Sequence, residues 1–161
     1  MDNQIISKLS SYLVFQLGHE KFAVNIGHVN KILEMTEITK IPHTPDLYLG
    51  VINLLGDVIP VIDGRTKFGL KKKDADLNTC IVIVMFSADG DEILNVGLVV
   101  DQVLQVIDIA DENLSSPPDL GKKFKLDFVP LVAKIKEEFI LVLNVEKLFS
   151  ADGLDHVNLD T

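Results

Sequence analysis

Val24-Asn-Ile-Gly-His-Val-Asn-Lys-Ile-Leu-Glu-Met35 recurs further along the chain as Leu98-Val-Val-Asp-Gln-Val-Leu-Gln-Val-Ile-Asp-Ile109. The apolar residues at positions 24, 26, 29, 32, 33 and 35 all align with apolar residues of the second stretch, and Val103 aligns with Val29 at a shift of 74 positions. Self-similarity at a fixed offset indicates that one structural unit occurs twice. We therefore interpret the 161 residues as two related halves.

Each copy begins in the second strand of a predicted β-hairpin. In the first half, alternating apolar residues at Leu13–Leu17 lead through Gly18–Glu20 to a second alternating run, Phe22–Ile26. In the second half, the apolar run Ile81–Phe86 is followed by a polar turn and then by the alternating run Leu94–Val100. Alternation with a period of two is typical of strands with one buried face.

The end of each half also repeats. Val58–Asp63 aligns with Phe139–Asn144 at a shift of 81 positions, and a short helix is predicted after each, at Gly64–Phe68 and Val145–Phe149. Each half then holds about five strands. Five short strands cannot bury both faces as an open sheet, whereas closure into a small barrel also removes exposed edges. The sequence therefore predicts an all-β fold of two small five-stranded barrels packed together, with short helices.

The chain is predicted to be one domain, residues 1–161, with two subdomains. We expect the first barrel over residues 12–68 and the second over residues 79–149, separated by a polar linker at 69–78 that lacks strand periodicity. Because a barrel of fewer than about 80 residues supplies only a marginal core, an apolar seam between the barrels should provide part of the stability. Residues 151–161 are expected to form a flexible acidic tail.

Composition narrows the range of functions. Twenty-four acidic residues against 15 basic ones leave a net charge of -9, which disfavours nucleic acid as a partner. The longest apolar run, Ile81–Phe86, is far shorter than the roughly 18 residues needed to cross a bilayer. Residues Met1–Ser11 lack the basic and then apolar pattern of a secretory signal. The protein is therefore expected to be soluble and cytoplasmic, without direct membrane insertion.

No pattern in the sequence predicts catalysis, a cofactor or a metal site. The four histidines lack the short spacings of metal ligands, and no glycine-rich phosphate loop precedes a helix. Cys80 lies in an apolar run with no neighbouring His or Arg, so we interpret it as a buried, inert thiol. Asp63 and Asn144 are repeat-equivalent, and both are predicted to cap the helices that follow them.

The segment from Gly50 to Asp63 resembles a sequence pattern of a known protein family. Gly50-Val-Ile-Asn-Leu-Leu-Gly-Asp-Val-Ile-Pro-Val-Ile-Asp63 resembles the stretch G-V-x-N-L-R-G-x-(I/V)-(I/V)-P-(I/V)-(I/V)-D of CheW-like chemotaxis coupling proteins. The order of the pieces is more specific than any one of them, and together they span nearly the whole chain. Further matching segments are Tyr12–Gly18, Ile41–Pro45, Val96–Val103 and Phe139–Leu148.

The resemblance implies two SH3-like five-stranded barrels and a non-enzymatic adaptor in bacterial chemotaxis. Members of the family couple the cytoplasmic tip of chemoreceptors, the methyl-accepting chemotaxis proteins, to the regulatory domain of a CheA-type histidine kinase. The resemblance therefore implies a cytoplasmic protein that joins membrane receptor arrays through its partners, with no cofactor. An apolar groove between two barrels would suit an amphipathic helix.

Two positions depart from the family pattern. The usual Arg of N-L-R-G is Leu55, and the usual Glu two residues after Val29 is Lys31, so a charged pair that those residues could form is missing. One hypothesis is a divergent coupling protein adapted to its own kinase or receptors; the alternative is that Leu55 is an ordinary exposed apolar residue. Gly64 also stands where the family commonly has Leu.

Two other functional interpretations remain open. A divergent modulator or competitor would bind only one of the two partners, which loss of the charged pair would allow. A small-molecule site between the barrels is disfavoured, because the sequence shows no convergent polar residues there.

The resemblance implies partner-binding residues in both halves. For Gly50 and Gly56, a backbone requirement for glycine is the competing interpretation. Val29 and Ile32 are three positions apart, as are Val103 and Val106. For these four residues the competing interpretation is that a short connecting turn uses them to fill the core. The candidate partner-binding residues are Val29, Lys31, Ile32, Gly50, Asn53, Leu54, Leu55, Gly56, Val103 and Val106.

Overall fold

The computed structural model describes residues 9–87, 92–117 and 128–150. Short 3-10 turns follow β2 at Ile26–His28 and β8 at Asp111–Asn113. The strands of these residues are β1 (Leu9–Leu17), β2 (Glu20–Asn25), β3 (Val29–Glu34), β4 (Tyr48–Leu54), β5 (Asp57–Asp63), β6 (Cys80–Ser87), β7 (Ile93–Val100), β8 (Gln102–Ala110), β9 (Leu114–Ser115), β10 (Leu131–Ile135) and β11 (Glu138–Val142), and the α-helices are α1 (Gly64–Lys67) and α2 (Val145–Ser150).

Both predicted hairpins are present. β1 pairs with β2 in an antiparallel register that places Phe15 opposite Phe22, and β6 pairs with β7 in the same way. β2 ends one residue earlier than predicted, at Asn25. The Asn25 side chain accepts a hydrogen bond from Gly27 N, and this bond starts the 3-10 turn that contains Ile26.

The strands form two sheets, which confirms the predicted all-β fold with short helices. The six-stranded sheet has the order β8-β1-β2-β11-β10-β9, and the five-stranded sheet has the order β3-β6-β7-β5-β4. The sixth strand of the larger sheet is β9, which covers only Leu114 and Ser115 and pairs with β10. Apart from this addition, each sheet holds the five strands expected.

The two sheets do not follow the two halves of the chain. β1 and β2 lie with β8 to β11, whereas β6 and β7 lie with β3 to β5, so each half gives its first hairpin to the other sheet. Allocation of one barrel to residues 12–68 and the other to residues 79–149 is therefore wrong. The repeat identifies which segments form strands. It does not identify which copy supplies the neighbour, because repeat-equivalent strands offer similar edges.

Three apolar clusters fill the described structure. The largest, here called the shared cluster, takes one face of β1 (Leu13, Phe15 and Leu17) and one face of β6 (Val82, Val84 and Phe86). It therefore lies between the two sheets, as the predicted apolar seam requires. The opposite faces supply separate clusters, one with Tyr12 and Val14 of β1 and the other with Ile81 and Ile83 of β6. Both faces of these strands are buried, which explains their uninterrupted apolar runs.

The two predicted helix caps differ. Asn144 caps α2 as expected, because its Oδ1 accepts a hydrogen bond from Lys147 N at 3.0 Å. Asp63 precedes α1, but its side chain makes no bond to the helix backbone. Instead its buried carboxylate accepts from Thr66 Oγ1 at 2.6 Å. The prediction of a cap is thus wrong for the Asp63 side chain, since the Thr66 hydroxyl takes the place of a backbone donor.

Four further predictions concern the burial of Cys80, membrane-spanning segments, the linker and the tail. Cys80 is partly exposed at the start of β6, with its Sγ 3.3 Å from Asn78 O, so the expected full burial is wrong. Within the described ranges, no helix has the length and apolar character needed to span a membrane. The predicted linker is free of regular structure from residue 70 to residue 79, and the predicted tail lies outside the described residues.

Candidate functional site

β3 and β8 each contain one extra residue relative to the strand beside them. On β3, Val29 pairs with Val84 but Lys31 already pairs with Ile83, which leaves Asn30 as the inserted residue. On β8, Val103 pairs with Phe15 but Gln105 pairs with Val14, which leaves Leu104 as the inserted residue. Positions 30 and 104 are related by the repeat shift of 74. The two strands therefore carry β-bulges at equivalent places.

The bulge decides which side chains of β3 share a face. Because one residue is inserted, Val29 and Ile32 lie on the same face although they are three positions apart. Their partners across the pair are Val84 and Val82, which both belong to the shared cluster. Val29 is half-buried against that cluster, whereas Ile32 is 43% exposed.

β8 repeats this arrangement on the other sheet. Val103 and Val106 lie opposite Phe15 and Leu13, which also belong to the shared cluster. Val103 packs partly against the cluster, and Val106 is 54% exposed. The three-residue spacing thus comes from a bulged strand and not from a short connecting turn, while the packing of Val29 and Val103 on the shared cluster agrees with the interpretation that these two residues fill the core.

These four residues form two walls that face the seam between the sheets. In the β3 wall Val29 packs on the shared cluster and Ile32 is exposed to solvent. In the β8 wall Val103 packs on the cluster and Val106 is exposed. We call Val29, Ile32, Val103 and Val106 the seam strip. Half-exposed apolar side chains in two matching rows are suited to contact with an apolar partner surface.

Lys31 lies within β3 but opposite Ile83, whose side chain belongs to a different cluster from the seam. The Lys31 side chain is exposed, and it forms no ion pair with any residue that the structure describes. It therefore adds an unpaired positive charge beside the seam strip.

Asn53, Leu55 and Gly56 lie at the turn between β4 and β5. Leu54 pairs with Asp57, so the turn has two central residues, Leu55 and Gly56, with φ angles of 53° and 92°. Positive φ at both central positions defines a type I′ turn. Asn53 Oδ1 accepts from Gly56 N at 3.0 Å and so locks the turn.

Leu55 is an unfavourable residue at this position for two reasons. A left-handed backbone costs a residue with a Cβ about 1 kcal/mol, and Gly, Asn and Asp are the usual residues there. The side chain is also 89% exposed, so it gains almost nothing from packing. Val58, the first residue of β5 after Asp57, is exposed as well. The hairpin tip, residues 53–58, is therefore an apolar projection held in one conformation.

The two candidate glycines have different requirements. Gly50 is buried with φ at 141°, and a Cβ there would lie 2.1 Å from Thr39 O. Thr39 and Val51 exchange backbone hydrogen bonds of 2.9 and 2.8 Å, which hold that oxygen in place. A Cβ at Gly56 would meet nothing within 4 Å, so only the positive φ requires glycine there. The backbone interpretation accounts for both glycines.

A second hairpin tip is absent from the candidate partner-binding residues. β10 and β11 are joined by Lys136 and Glu137, and Lys136 has φ of 57°. The repeat shift of 81 places Lys136 at the position of Leu55 and the exposed Phe139 at that of Val58. Lys134 Nζ lies 6.0 Å from the centre of the Phe139 ring. The repeat shift was the signal that could have added these residues to the candidates.

Among the described residues, no three His, Cys, Asp or Glu side chains come together as a metal site would require. What the geometry does offer is a pair of apolar walls and a rigid projecting turn. These are features of protein contact.

Comparison with known proteins identifies the family. The model of the CheW-like domain matches residues 11–153 of the chain. The chain belongs to the CheW-like family. Chemotaxis protein CheW of Klebsiella aerogenes is 30% identical over 143 residues, which cover 89% of this chain and 83% of that protein. Probable chemotaxis protein CheW of Rhizobium etli is 32% identical over 138 residues, or 86% of each.

A solved structure agrees with this assignment. The crystal structure of scaffolding protein TtCheW from Thermoanaerobacter tengcongensis matches with a TM-score of 0.78 at 33% sequence identity. The match covers 91% of this chain and 96% of that chain. Family and fold together confirm the predicted CheW-like chemotaxis adaptor. As a member of a scaffolding family, the chain is not an enzyme.

Proposed function

We propose that this CheW-like chain couples chemoreceptors to a CheA-type histidine kinase through protein contacts alone. It would work in the cytoplasm and join membrane receptor arrays through its partners. The observation that carries the proposal is the pair of equivalent bulges at Asn30 and Leu104, which turns four apolar side chains toward the seam. Exposed apolar side chains at equivalent positions of both walls support a role in partner binding.

The seam strip is the surface we assign to the helical cytoplasmic tip of a chemoreceptor. An amphipathic helix presents apolar side chains at intervals of three and four residues, and such a row can cover Ile32 and Val106 together. Full burial of a Val or Ile side chain is worth about 1.5 to 3 kcal/mol, so covering the exposed half of each contributes about 1 kcal/mol. Two such contacts suit a modest affinity.

The hairpin tip at residues 53–58 is the surface we assign to the kinase regulatory domain. Leu55 replaces the charge that the family usually carries there, so its contact is apolar and does not depend on an ion pair. Lys31 reverses the other usual charge. Both changes concern exposed side chains, so they alter the charge of the surface that a partner contacts.

The test is reconstitution with a receptor signalling fragment in nanodiscs and the cognate kinase. Co-sedimentation reports binding, and autophosphorylation reports coupling. We expect the wild-type chain to bind both and to raise kinase activity in the ternary complex. Val106→Asp should lose receptor binding, whereas Ile93→Asp, at an exposed apolar position of β7 outside the strip, should not. Equal losses in the two variants would contradict the assignment of the strip.

The second candidate function is a modulator that binds only one partner. The observation that favours it is the absence of the usual charges at Lys31 and Leu55. In the same assay, a modulator would bind one partner and leave kinase activity unchanged or lowered. Lys31→Glu combined with Leu55→Arg would then restore binding of the second partner. If this double variant changes no affinity, the two positions do not govern partner choice.

A further inference from the structure

Arg65 and Asp101 form an ion pair between the two sheets. Neither the hairpin pattern nor the internal repeat of the sequence predicts this pair. Arg65 Nε donates to both carboxylate oxygens of Asp101, at 3.0 and 3.2 Å. Their side chains are 19% and 18% exposed, so the pair is largely removed from solvent. This is a bifurcated hydrogen bond from one N–H, and its low exposure to solvent holds its geometry better than that of a fully exposed surface pair.

The Asp101 carboxylate also holds the six-stranded sheet. Gly18 N, in the turn between β1 and β2, donates to Asp101 Oδ2 at 2.8 Å. Asp101 N donates to Gln16 O of β1 at 3.1 Å, so the backbone of Asp101 binds the end of β1 and its side chain binds the turn that follows. Asp101 is the single residue between β7 of the five-stranded sheet and β8 of the six-stranded sheet.

Arg65 belongs to the other sheet. It lies in α1, which follows β5 and packs on β5 and β7. The packing is close, because a Cβ on Gly64 would lie 2.4 Å from Val99 O of β7. Arg65 also donates from Nη1 to Lys71 O of the linker at 3.0 Å. The ion pair thus joins a helix fixed on the five-stranded sheet to the crossover residue that leads into the six-stranded sheet.

The repeat-equivalent crossover, from β2 to β3, has no such pair. The repeat shifts of 74 and 81 place Gly27 where Asp101 stands and Glu146 where Arg65 stands. Among the described residues that crossover forms hydrogen bonds but no ion pair, and one of these bonds joins His28 Nδ1 and Met85 O at 2.9 Å. The ion pair is therefore a feature of the crossover that leads into the β8 wall, and duplication of the fold alone does not require it.

We propose that the Arg65–Asp101 pair is a clamp that fixes the angle between the two sheets and so sets the separation of the two walls of the seam strip. Asp101 is two residues before Val103, so any rotation at the clamp moves the β8 wall. Both residues are positioning residues, since neither belongs to the strip itself. The inference rests on the proposed function of the seam strip, which it extends by naming what holds the strip in its binding geometry.

The test combines a distance with an affinity. In a Cys80→Ser background, spin labels at Asp57→Cys and Glu112→Cys report the separation of the sheets by double electron–electron resonance. The clamp is broken by Arg65→Gln, which leaves the bond between Asp101 and Gly18 in place. Lys21→Gln is the matched control, because Lys21 and Glu138 form an ion pair of 2.6 Å within the six-stranded sheet.

We expect Arg65→Gln to broaden the distance distribution and Lys21→Gln to leave it unchanged. If the binding-competent angle falls to about a third of the population, the apparent dissociation constant for the receptor fragment rises about threefold. Arg65→Lys, which can keep one contact to Asp101, should recover part of both effects. Asp101→Asn provides a second break at the other end of the clamp.

The outcomes separate the clamp from the function of the strip. An unchanged distance distribution in Arg65→Gln would overturn the clamp. A broadened distribution with unaltered receptor affinity would overturn the positioning role. A wild-type chain that does not bind the receptor fragment would overturn the proposed function, while the distance measurement would still decide whether the clamp fixes the sheets.

Discussion

Replacing Leu55 by asparagine is expected to stabilise the fold. Leu55 has φ of 53° at the first central position of a type I′ turn, where asparagine before glycine is the preferred residue. Removal of the left-handed penalty is worth about 1 kcal/mol. The side chain is 89% exposed, so truncation sacrifices little packing. A gain of this size raises the melting temperature of a chain of this length by about 2 to 4 °C.

The assay is urea unfolding followed by circular dichroism, with the melting temperature as a second measure. The denaturation midpoint should rise while the slope stays constant, because the unfolded surface is unchanged. Leu77→Asn is the matched control: Leu77 is fully exposed but has no positive φ, so its change should fall within about 0.5 kcal/mol. Equal midpoints for Leu55→Asn and Leu77→Asn would refute the strain at Leu55.

The same variant separates stability from binding. If the tip contacts the kinase regulatory domain, loss of the leucine should weaken that contact by about fivefold or more, which corresponds to about 1 kcal/mol. A protein that becomes more stable but binds less well would show that Leu55 is retained for its contact. A protein that gains stability and keeps its affinity would instead make Leu55 an incidental exposed residue.

Three further predictions concern the core, the glycines and pH. Phe15→Ala, at a fully buried position of the shared cluster, should cost about 3 to 5 kcal/mol in the free energy of urea unfolding, and a smaller loss would mean that the seam is loosely packed. Gly50→Ala should destabilise by more than about 2 kcal/mol because of the contact with Thr39 O, whereas Gly56→Ala should cost about 1 kcal/mol from backbone strain alone; the reverse order would contradict the geometry of β4. The hydrogen bond from the Asn78 backbone, helped by Lys73, holds the pKa of Asp76 below its ordinary value of 3.8, so the turn at residues 76–79 should be stabilised above that value and lose this contribution as pH falls through the lower, folded pKa. A carbon-13 carboxyl titration that places the Asp76 midpoint at or above 3.8 would contradict this.

The sequence predicted the local elements better than their arrangement. Alternation and turn residues identified both hairpins, and the repeat identified the two closing helices. The sequence did not predict that the hairpins exchange between the sheets. This exchange depends on two parallel strand pairs between distant segments, β5 with β7 and β11 with β2. Nothing in a one-dimensional repeat distinguishes these pairings from pairings within one half.

In the candidate site, too, the sequence predicted local features but not their spatial arrangement. Apolar residues three apart were noticed at Val29 and Ile32, but a bulge is visible only once the register of the neighbouring strand is known. The Arg65–Asp101 pair spans 36 positions and depends on the crossover from β7 to β8, so sequence spacing gave no signal for it. Leu55, in contrast, was singled out correctly as unusual from the sequence, and its backbone conformation supplies the physical reason.

Methyl NMR during titration with a chemoreceptor tip fragment tests the central claim most directly. With isotope-labelled Ile and Val methyl groups, the signals of Ile32 and Val106 should shift or broaden as the fragment is added, since both belong to the seam strip. The signal of Ile93, equally apolar and exposed but outside the strip, should stay in place. Movement of Ile93 with Ile32 and Val106 unaffected would show that the receptor binds elsewhere, and the seam strip would lose its assigned role.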